Sequence, residues 1–235
     1  MDHQFLSGTE LFGGLNENEI NSVLSCLKAR EAGFKKNDII FHAGDCIEEI
    51  GLITRGSVNI TVNFYNGSSS IFDHITAGNI FGEAYASVPG KKLLCDVVAA
   101  DDCGVMFLNI DKLISVCENV CPFHQQLINN FLRISAQKSL RLSSKVIHTA
   151  SKSTRERLIS YFSEQSLKSG SVYFTIPFSR QQLADYLGVE RSALSNTLSK
   201  MQKDGLIQYH KNEFKLLRQH RTPELCGIAL KGSPK

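Results

Sequence analysis

The segment SRQQLADYLGVERSALSNTLSKMQK, which runs from Ser179 to Lys203, decides the fold of the carboxyl-terminal part of the chain. Ser179 and, three residues later, Gln182 form a capping-box pattern, which predicts where a first helix begins. Gly188 permits a tight turn, because glycine adopts backbone angles that other residues avoid, and a second helix is predicted after it. Both helices have apolar or small side chains at inward positions, namely Leu183, Ala184, Leu187, Val189, Leu194, Leu198 and Met201. The segment therefore predicts a helix–turn–helix.

Polar side chains occupy the outward positions at the start of the second helix: Arg191, Ser192, Ser195 and Asn196. Such groups donate to and accept from base edges in the major groove of DNA, where arginine pairs with guanine and asparagine with adenine. Flanking residues are predicted to contact phosphates, which sets the register on the duplex without reading its sequence. These are Arg180, Gln181, Lys200, Lys203 and, at the tip of a following hairpin, Lys211. The alternative is an ordinary helical hairpin with a solvated polar face.

Charge is distributed unevenly along the 235 residues, whose formal net charge is +3. Residues 1–144 contain 11 Lys and Arg against 16 Asp and Glu, a net charge of −5. Residues 145–235 contain 15 Lys and Arg against 7 Asp and Glu, a net charge of +8. A basic carboxyl-terminal part on an acidic remainder indicates that one end of the protein meets a polyanion. Two ordinary solvated surfaces that happen to differ would give the same counts.

The region from residue 33 to about residue 108 is predicted to form short antiparallel strands punctuated by glycines. Residues 57–64 alternate between polar and apolar, and Tyr65-Asn66-Gly67 after them is a hairpin signal. Many short strands joined by such turns indicate a sandwich or a roll. Before this region, apolar residues at helical spacing within residues 16–27 predict a small helix.

A long helix is predicted from Pro122 onward, because proline suits the first helical turn. Its apolar side chains recur at intervals of four, four and three residues: Phe123, Leu127, Phe131 and Ile134. About 27 residues of helix would be about 40 Å long, more than one small domain covers. This stripe is therefore interpreted as the seam of a homodimer. The alternative is a helix packed on its own domain.

Further elements are predicted around the helix–turn–helix. Residues 151–153 indicate a break between helices, and residues 154–165 have the apolar spacing of an amphipathic helix. Residues 172–178 are typical of a strand, and residues 207–217 of a short hairpin that turns at Lys211-Asn212.

In this order, the layout resembles the CRP/FNR family of bacterial transcription regulators. The resemblance rests on FKKNDIIFHAGD at 34–45, AGNIFGE at 77–83 and the helix–turn–helix. It implies an α+β fold with an N-terminal antiparallel β-roll like a cyclic-nucleotide-binding domain, a long dimerisation helix and a C-terminal winged helix–turn–helix. The implied domains are a β-roll sensor at 1–120, the dimerisation helix at 121–150 and the DNA-binding domain at 151–235.

The resemblance also implies a homodimeric regulator that reads an inverted repeat in double-stranded DNA, acts with RNA polymerase and is controlled by an effector or redox signal through the β-roll. The effector pocket is predicted near Gly82, Glu83, Leu94 and Cys95. In nucleotide-binding members the glutamate takes the ribose hydroxyl, and an Arg-Ser pair farther along holds the cyclic phosphate. Here residues 93–96 read Leu-Leu-Cys-Asp in that place. A phosphate without a bidentate guanidinium loses its main charge-assisted partner, so the sequence argues against a cyclic nucleotide.

The cysteine pattern argues against an iron–sulfur cluster. Near the amino terminus the chain has Cys26 and Cys46, which are twenty residues apart. Cys117 and Cys121 could share one face of a helix, but two thiolates do not hold a cluster, and both are interpreted as small hydrophobic residues. Reversible thiol oxidation is compatible with the sequence.

Haem ligation by His42, His74 or His124 is likewise compatible with the sequence. A metal-dependent enzyme on a β-roll would need clustered His and Glu ligands. Because His42, His74 and Glu83 are dispersed along the chain, the sequence predicts neither a metal site nor catalysis.

The main alternative function is a small-molecule-binding module that docks to a protein partner through its basic domain; salt-sensitive binding to duplex DNA would separate the two. No apolar run reaches the roughly 18 residues of a membrane span, and the first residues show no signal-peptide pattern. Seven scattered cysteines fit a reducing compartment. A cytoplasmic protein with no membrane partner is therefore expected.

Overall fold

The computed structural model describes residues 2–115 and 122–217. The chain forms two compact units, residues 1–139 and residues 140–235. Cys117 and Cys121 lie outside the described residues. No helix in the two described ranges is long and apolar enough to cross a membrane.

The first unit is built on two antiparallel four-stranded sheets, with the strand orders β1-β8-β3-β6 and β2-β7-β4-β5. The strands are β1 (Arg30–Phe34), β2 (Ile39–Phe41), β3 (Glu49–Arg55), β4 (Ser57–Asn63), β5 (Ser69–Thr76), β6 (Ile80–Phe81), β7 (Asp96–Ala99) and β8 (Cys103–Asn109). The helices are α1 (His3–Ser7), α2 (Glu17–Cys26), α3 (Glu83–Ala86), α4 (Ile110–Ile114) and α5 (Pro122–Ala150), which continues into the second unit. The predicted antiparallel β-roll and the small amino-terminal helix are confirmed.

The turn between β4 and β5 forms where the sequence predicts a hairpin. The amide of Phe64 donates to the carbonyl of Ser68 at 2.8 Å. The side chain of Asn66 accepts hydrogen bonds from the amide and the hydroxyl of Ser68. Gly67 has φ +80°, an angle that favours glycine, so the local turn chemistry fixes the register of the two strands.

Strands β3 and β8 are buried on both faces, because their alternate side chains enter two different apolar clusters. One cluster lies between the two sheets and contains Ile53, Val58, Phe81, Val97, Val105 and Phe107. The other lies between the first sheet and the helices and contains Ile20, Val23, Leu52, Met106, Leu108 and Leu113. Strands with both faces covered are continuously apolar rather than alternating, as the run 105–108 of β8 shows.

The long helix α5 is described from Pro122 onward, and its apolar stripe packs within one copy of the chain. Leu127, Phe131 and Ile134 are buried in the cluster beneath the helices, and Phe123 packs against the same cluster. The side chain of Asn130, buried on the same side, donates to two backbone carbonyls at 3.0 and 2.8 Å. The prediction that Phe123, Leu127, Phe131 and Ile134 form a dimer seam was therefore wrong, because these side chains complete the core of their own domain.

The second unit contains the end of α5, from residue 140 on, and the winged helix–turn–helix that the sequence predicts. Its elements are α6 (Thr154–Ser169), β9 (Tyr173–Thr175), α7 (Arg180–Leu187), α8 (Arg191–Lys203), β10 (Ile207–His210) and β11 (Glu213–Leu216). The three strands form an antiparallel sheet in the order β10-β11-β9. The predicted break before α6 is confirmed, since Ser153 caps that helix. The predicted hairpin turn at 211–212 is confirmed as well.

Candidate nucleic-acid interface

The turn between α7 and α8 is fixed by local hydrogen bonds that the sequence predicts. The hydroxyl of Ser179 accepts from the amide of Gln182 at 3.3 Å, and the Gln182 side chain accepts from the amide of Ser179 at 2.8 Å. Gly188 ends α7 in the left-handed conformation with φ +63°. The inward residues of both helices are fully buried: Leu183, Ala184, Leu187, Leu194, Leu198 and Met201. This core holds α8 against α7 and leaves one face of α8 outside.

The outer face of α8 presents the predicted polar residues at its amino-terminal end. Arg191, Ser192 and Asn196 are exposed and Ser195 is half-buried. Within the described part of the chain, the side chains of these four residues make no hydrogen bond or ion pair. Their donors and acceptors are therefore available to an external partner.

The residues that flank this face differ in whether their side chains already have a partner within the described chain. Lys200 and Lys203 are exposed in the last turn of α8, and Lys211 is exposed at the tip of the β10–β11 hairpin. The side-chain amide of Gln181, in contrast, already donates to the Asp185 carboxylate at 2.8 Å. Three lysines that have no ion-pair partner in the described ranges therefore flank the polar face of α8.

Arg180 is half-buried and has a structural role that the sequence did not reveal. Its guanidinium donates to the backbone carbonyl of Lys211. It also lies over the rings of Tyr209 and Phe214, at 5.0 and 5.2 Å from their centroids. Arg180 thus connects the start of α7 to the tip of the β10–β11 hairpin, which is the wing, and it positions Lys211 there.

Arg157, on α6, forms hydrogen bonds with the turn between α7 and α8. The sequence analysis missed this residue because no local pattern marks it. Its guanidinium donates to the carbonyls of Ser151 at 2.7 Å, Leu187 at 2.7 Å and Gly188 at 3.1 Å. Charge-assisted bonds to carbonyls left open at a helix end are stabilising. One side chain thereby joins the link before α6 to the turn before α8.

The predicted effector residues lie in the first unit around α3. Gly82 precedes α3 with φ +81°, and the Glu83 carboxylate pairs with Lys138 of α5 at 2.7 Å. Burial and the neighbouring Asp96 carboxylate raise the pKa of the half-buried Cys95 thiol. Leu94 is 72% exposed because Leu93, at 3%, takes the inward position. The effector pocket near Gly82, Glu83, Leu94 and Cys95 stays a prediction, in which Leu94 is the exposed member.

A cavity of about 300 Å³ lies elsewhere in the first unit. It is lined by Asp2, Phe5, Leu6, Glu31 and Thr54. None of the predicted effector residues contributes to it.

The candidate haem ligands have other surroundings. His124 is buried and its Nε2 lies 3.1 Å from the carbonyl oxygen of Leu113, whereas His74 pairs with Asn59 at 2.7 Å and His42 is exposed. Among residues 2–115 and 122–217, no three His, Cys, Asp or Glu side chains lie close enough together to hold a metal ion.

Two family descriptions match consecutive parts of the chain. Residues 32–120 match the cyclic nucleotide-binding domain. Residues 156–221 match the Crp-like helix-turn-helix domain. The two matches fall on the β-roll and on the winged helix–turn–helix.

Individual proteins are similar over most of the chain. Electron transport regulator A of Shewanella oneidensis is 22% identical over 229 residues, which cover 92% of this chain and 85% of that protein. The fumarate and nitrate reduction regulatory protein of Escherichia coli is 22% identical over 199 residues, 82% of this chain and 76% of that protein. Among solved structures, CprK complexed with OCPA has a TM-score of 0.61 at 15% identity, covering 85% of this chain and 91% of that one. The structural likeness concerns the fold.

Proposed function

The chain belongs to the CRP/FNR family of transcription regulators, and from that membership we propose that it acts as a homodimer that binds an inverted repeat in double-stranded DNA. In this proposal α8 of each copy enters the major groove and α5 joins the two copies. A signal received by the first unit controls transcription, with RNA polymerase as the further partner.

The free polar face of α8 is the observation that carries the proposal. Arg191 and Asn196 are exposed without a partner in the described chain, although long polar side chains on a packed helix often pair with neighbours. Arginine can take guanine through two hydrogen bonds, and asparagine can take adenine in the same way. Ser192 and Ser195 supply shorter groups that both donate and accept. We assign base reading to these four residues.

Phosphate contacts are assigned to the residues around that face. Within the described residues Lys200, Lys203 and Lys211 have no ion-pair partner, and Gln181 has one side-chain N–H besides the one bonded to Asp185. Arg180 takes part chiefly by holding the wing, because its guanidinium is already bonded to the Lys211 carbonyl. Such contacts set the affinity and its dependence on salt, and not the sequence that is read.

The dimer contact is assigned to the side of α5 that faces away from the core. Exposed residues on that side follow one another at intervals of four, four, three and four: Leu132, Ala136, Leu140, Ser143 and Ile147. Leu132, Leu140 and Ile147 are each more than 60% exposed, which is costly for large apolar groups in water. Alternation of large and small residues at this spacing suits a paired helix. The stripe of residues 132, 136, 140, 143 and 147 is called the α5 seam below.

Control by a signal requires that the signal bind two states of the dimer with different affinity, since equal affinity shifts nothing. The raised pKa of the Cys95 thiol disfavours the thiolate, which is the form that reacts with oxidants. The signal proposed for the first unit is an effector or a redox change.

Selection of bound sequences from random DNA duplexes tests the proposal. The expected result is an inverted repeat whose half-sites are separated by about one helical turn, roughly 34 Å. Binding should weaken steeply as salt rises. Recovery of unrelated or non-palindromic sequences, or binding that does not depend on salt, would contradict it and favour docking to a protein.

A further inference from the structure

Lys138 of α5 reaches into the β-roll and is bonded at two points. Its Nζ lies 2.7 Å from Oε1 of Glu83, the first residue of α3, and 2.8 Å from the backbone carbonyl of Ile80 in β6. The side chains are largely buried, with 27% of Lys138 and 12% of Glu83 exposed. Because most of this ion pair is shielded from water, removing one partner would leave the other charge poorly compensated, which is destabilising.

Helix α3 depends on this contact for its position. It has four residues, and Gly82 before it supplies no side-chain hydrogen bond to cap it. A helix of this length has little stability of its own. The strand before α3 is also paired with β3, and the lysine adds bonds to that strand and to the first residue of α3, which ties the β6–α3 segment to α5.

The same contact does not fit the ligand that the matched domain family suggests. The Glu83 carboxylate is already occupied by an internal cation. Asp96 accepts hydrogen bonds from the amide of Ala43, at 2.7 Å, and from the side chain of Asn63. Asp96 thus adds a negative charge where a cyclic phosphate would need a guanidinium. The residues around α3 therefore do not fit a cyclic nucleotide.

We propose that Lys138 is a built-in counter-ion that holds the β6–α3 segment on α5 without any bound nucleotide. Lys138 is a positioning residue, and its ion pair occupies the glutamate that nucleotide-binding relatives use for the ligand. The contact of Lys138 with Glu83 and the Ile80 carbonyl is called the joint below. The inference rests on the proposed function insofar as the joint supports a DNA-binding dimer, but the joint itself can be measured without DNA.

Hydrogen exchange of the full chain, followed by mass spectrometry, tests the joint. Lys138→Met removes the charge and both bonds but keeps an apolar stem of similar length. We expect amides of residues 80–87 to exchange about tenfold faster or more, while residues 180–203 stay as in the wild type. Lys138→Arg should restore most of the protection, and Arg141→Met, an exposed cation on the same helix, should change nothing.

Glu83→Gln completes the test as a double-mutant cycle with Lys138→Met. If the two residues act as a pair, the double variant exchanges little faster than either single variant. Independent, multiplied effects would overturn the pairing. Unchanged exchange at residues 80–87 in Lys138→Met would overturn the proposal outright.

Cyclic AMP and cyclic GMP are the probes for the ligand side of the proposal. At millimolar concentration neither should protect residues 80–87 of the wild type or change its affinity for a selected duplex. Protection that is lost in Glu83→Gln would show a working nucleotide site and overturn the inference.

DNA binding then separates the two proposals. If the wild type binds a selected inverted repeat but Lys138→Met leaves exchange unchanged, the joint fails and the regulator stands. If Lys138→Met loosens the segment but the wild type binds no duplex, the joint stands and the proposed function fails.

Discussion

The imidazole of His148 and the hydroxyl of Tyr186 lie 2.9 Å apart, which joins the end of α5 to α7. The other ring nitrogen of His148 lies 2.8 Å from the Glu164 carboxylate on α6, and the side chain is only 2% exposed. Tyr161 packs edge-on against the same ring. The last turns of α5 are therefore part of the core of the second unit and not a free connection to it.

Acidification should destabilise the second unit through His148. Burial lowers the pKa of His148 below its usual 6.5, and Lys168 adds to this, although the Glu164 carboxylate opposes both. The unfolded chain then binds more protons than the folded one just below pH 6.5, so the folded state loses stability as the pH falls. The stability that neutral His148 contributes is fully present above about pH 6.5, and it is lost as the pH falls through the pKa of His148 in the folded state. Denaturant unfolding followed from about pH 8 to about pH 5 measures it.

His148→Gln should flatten that pH dependence, since glutamine can keep a hydrogen bond but does not titrate. The exposed His210 on β10 provides a matched control, and His210→Gln should leave the slope as it is. An equal slope in wild type and His148→Gln would show that other groups set the acid sensitivity of this unit.

Replacing Arg157 should cost more stability than replacing a neighbouring arginine. Arg157→Met removes three hydrogen bonds to backbone carbonyls, two at the helix–turn–helix turn and one to Ser151 before α6, and we expect a loss of about 2 kcal/mol in the free energy of unfolding. Arg155→Met, two residues away, removes a single hydrogen bond, in a surface pair with Asp204 in which both side chains are more than 40% exposed. That change should cost about 0.5 kcal/mol or less. Urea denaturation compares the two variants, and similar losses would refute the role given to Arg157.

The parts that the sequence predicted well are those with local signals. Ser179 and Gln182 form a capping box within four residues, and Gly188 marks its own turn. The hairpin at Asn66-Gly67 is encoded within its own turn in the same way. Such features depend on neighbours along the chain, so no knowledge of the rest of the fold is needed.

The parts that were missed depend on residues far apart in sequence. Lys138 meets Glu83 across 55 positions, and no spacing rule connects them. The stripe that contains Leu127 and Phe131 was correctly identified as apolar, but periodicity does not say which surface covers it. Here the amino-terminal helices cover it, and the exposed α5 seam on the other side is the less regular pattern.

Charge placed on the α5 seam should separate the proposed dimer without unfolding either copy. In Leu140→Asp combined with Ile147→Asp, both altered residues are exposed, at 67% and 63%. We expect the dissociation constant of the dimer to rise about a hundredfold or more, because each copy loses two apolar contacts. Sedimentation velocity measures the mass, and far-ultraviolet circular dichroism checks the fold.

Leu142→Asp is the matched control for the seam. Leu142 is also exposed, at 52%, but it lies about 200° around the helix from Leu140. It should leave the dimer intact. Dissociation by Leu142→Asp, with the seam variant still dimeric, would place the contact on a different face of α5.

Base reading and phosphate binding should separate when Arg191 and Lys200 are replaced in turn. Arg191→Ala removes a group assigned to a base edge, so it should cost about 1–3 kcal/mol on the selected repeat and relax the preference at one base pair. Lys200→Ala removes a phosphate contact near the end of α8. It should weaken all duplexes alike and reduce the slope of log affinity against log salt by about 1.

Fluorescence anisotropy on the selected repeat and on single-base variants, across a salt series, measures both effects at once. Both side chains are exposed, so neither replacement should disturb the fold, and circular dichroism provides the check. If Arg191→Ala weakens every duplex equally, the arginine contacts the backbone and the reading face must be assigned elsewhere. If Lys200→Ala changes the preferred base, the two assignments have to be exchanged, because a phosphate contact carries no sequence information of its own.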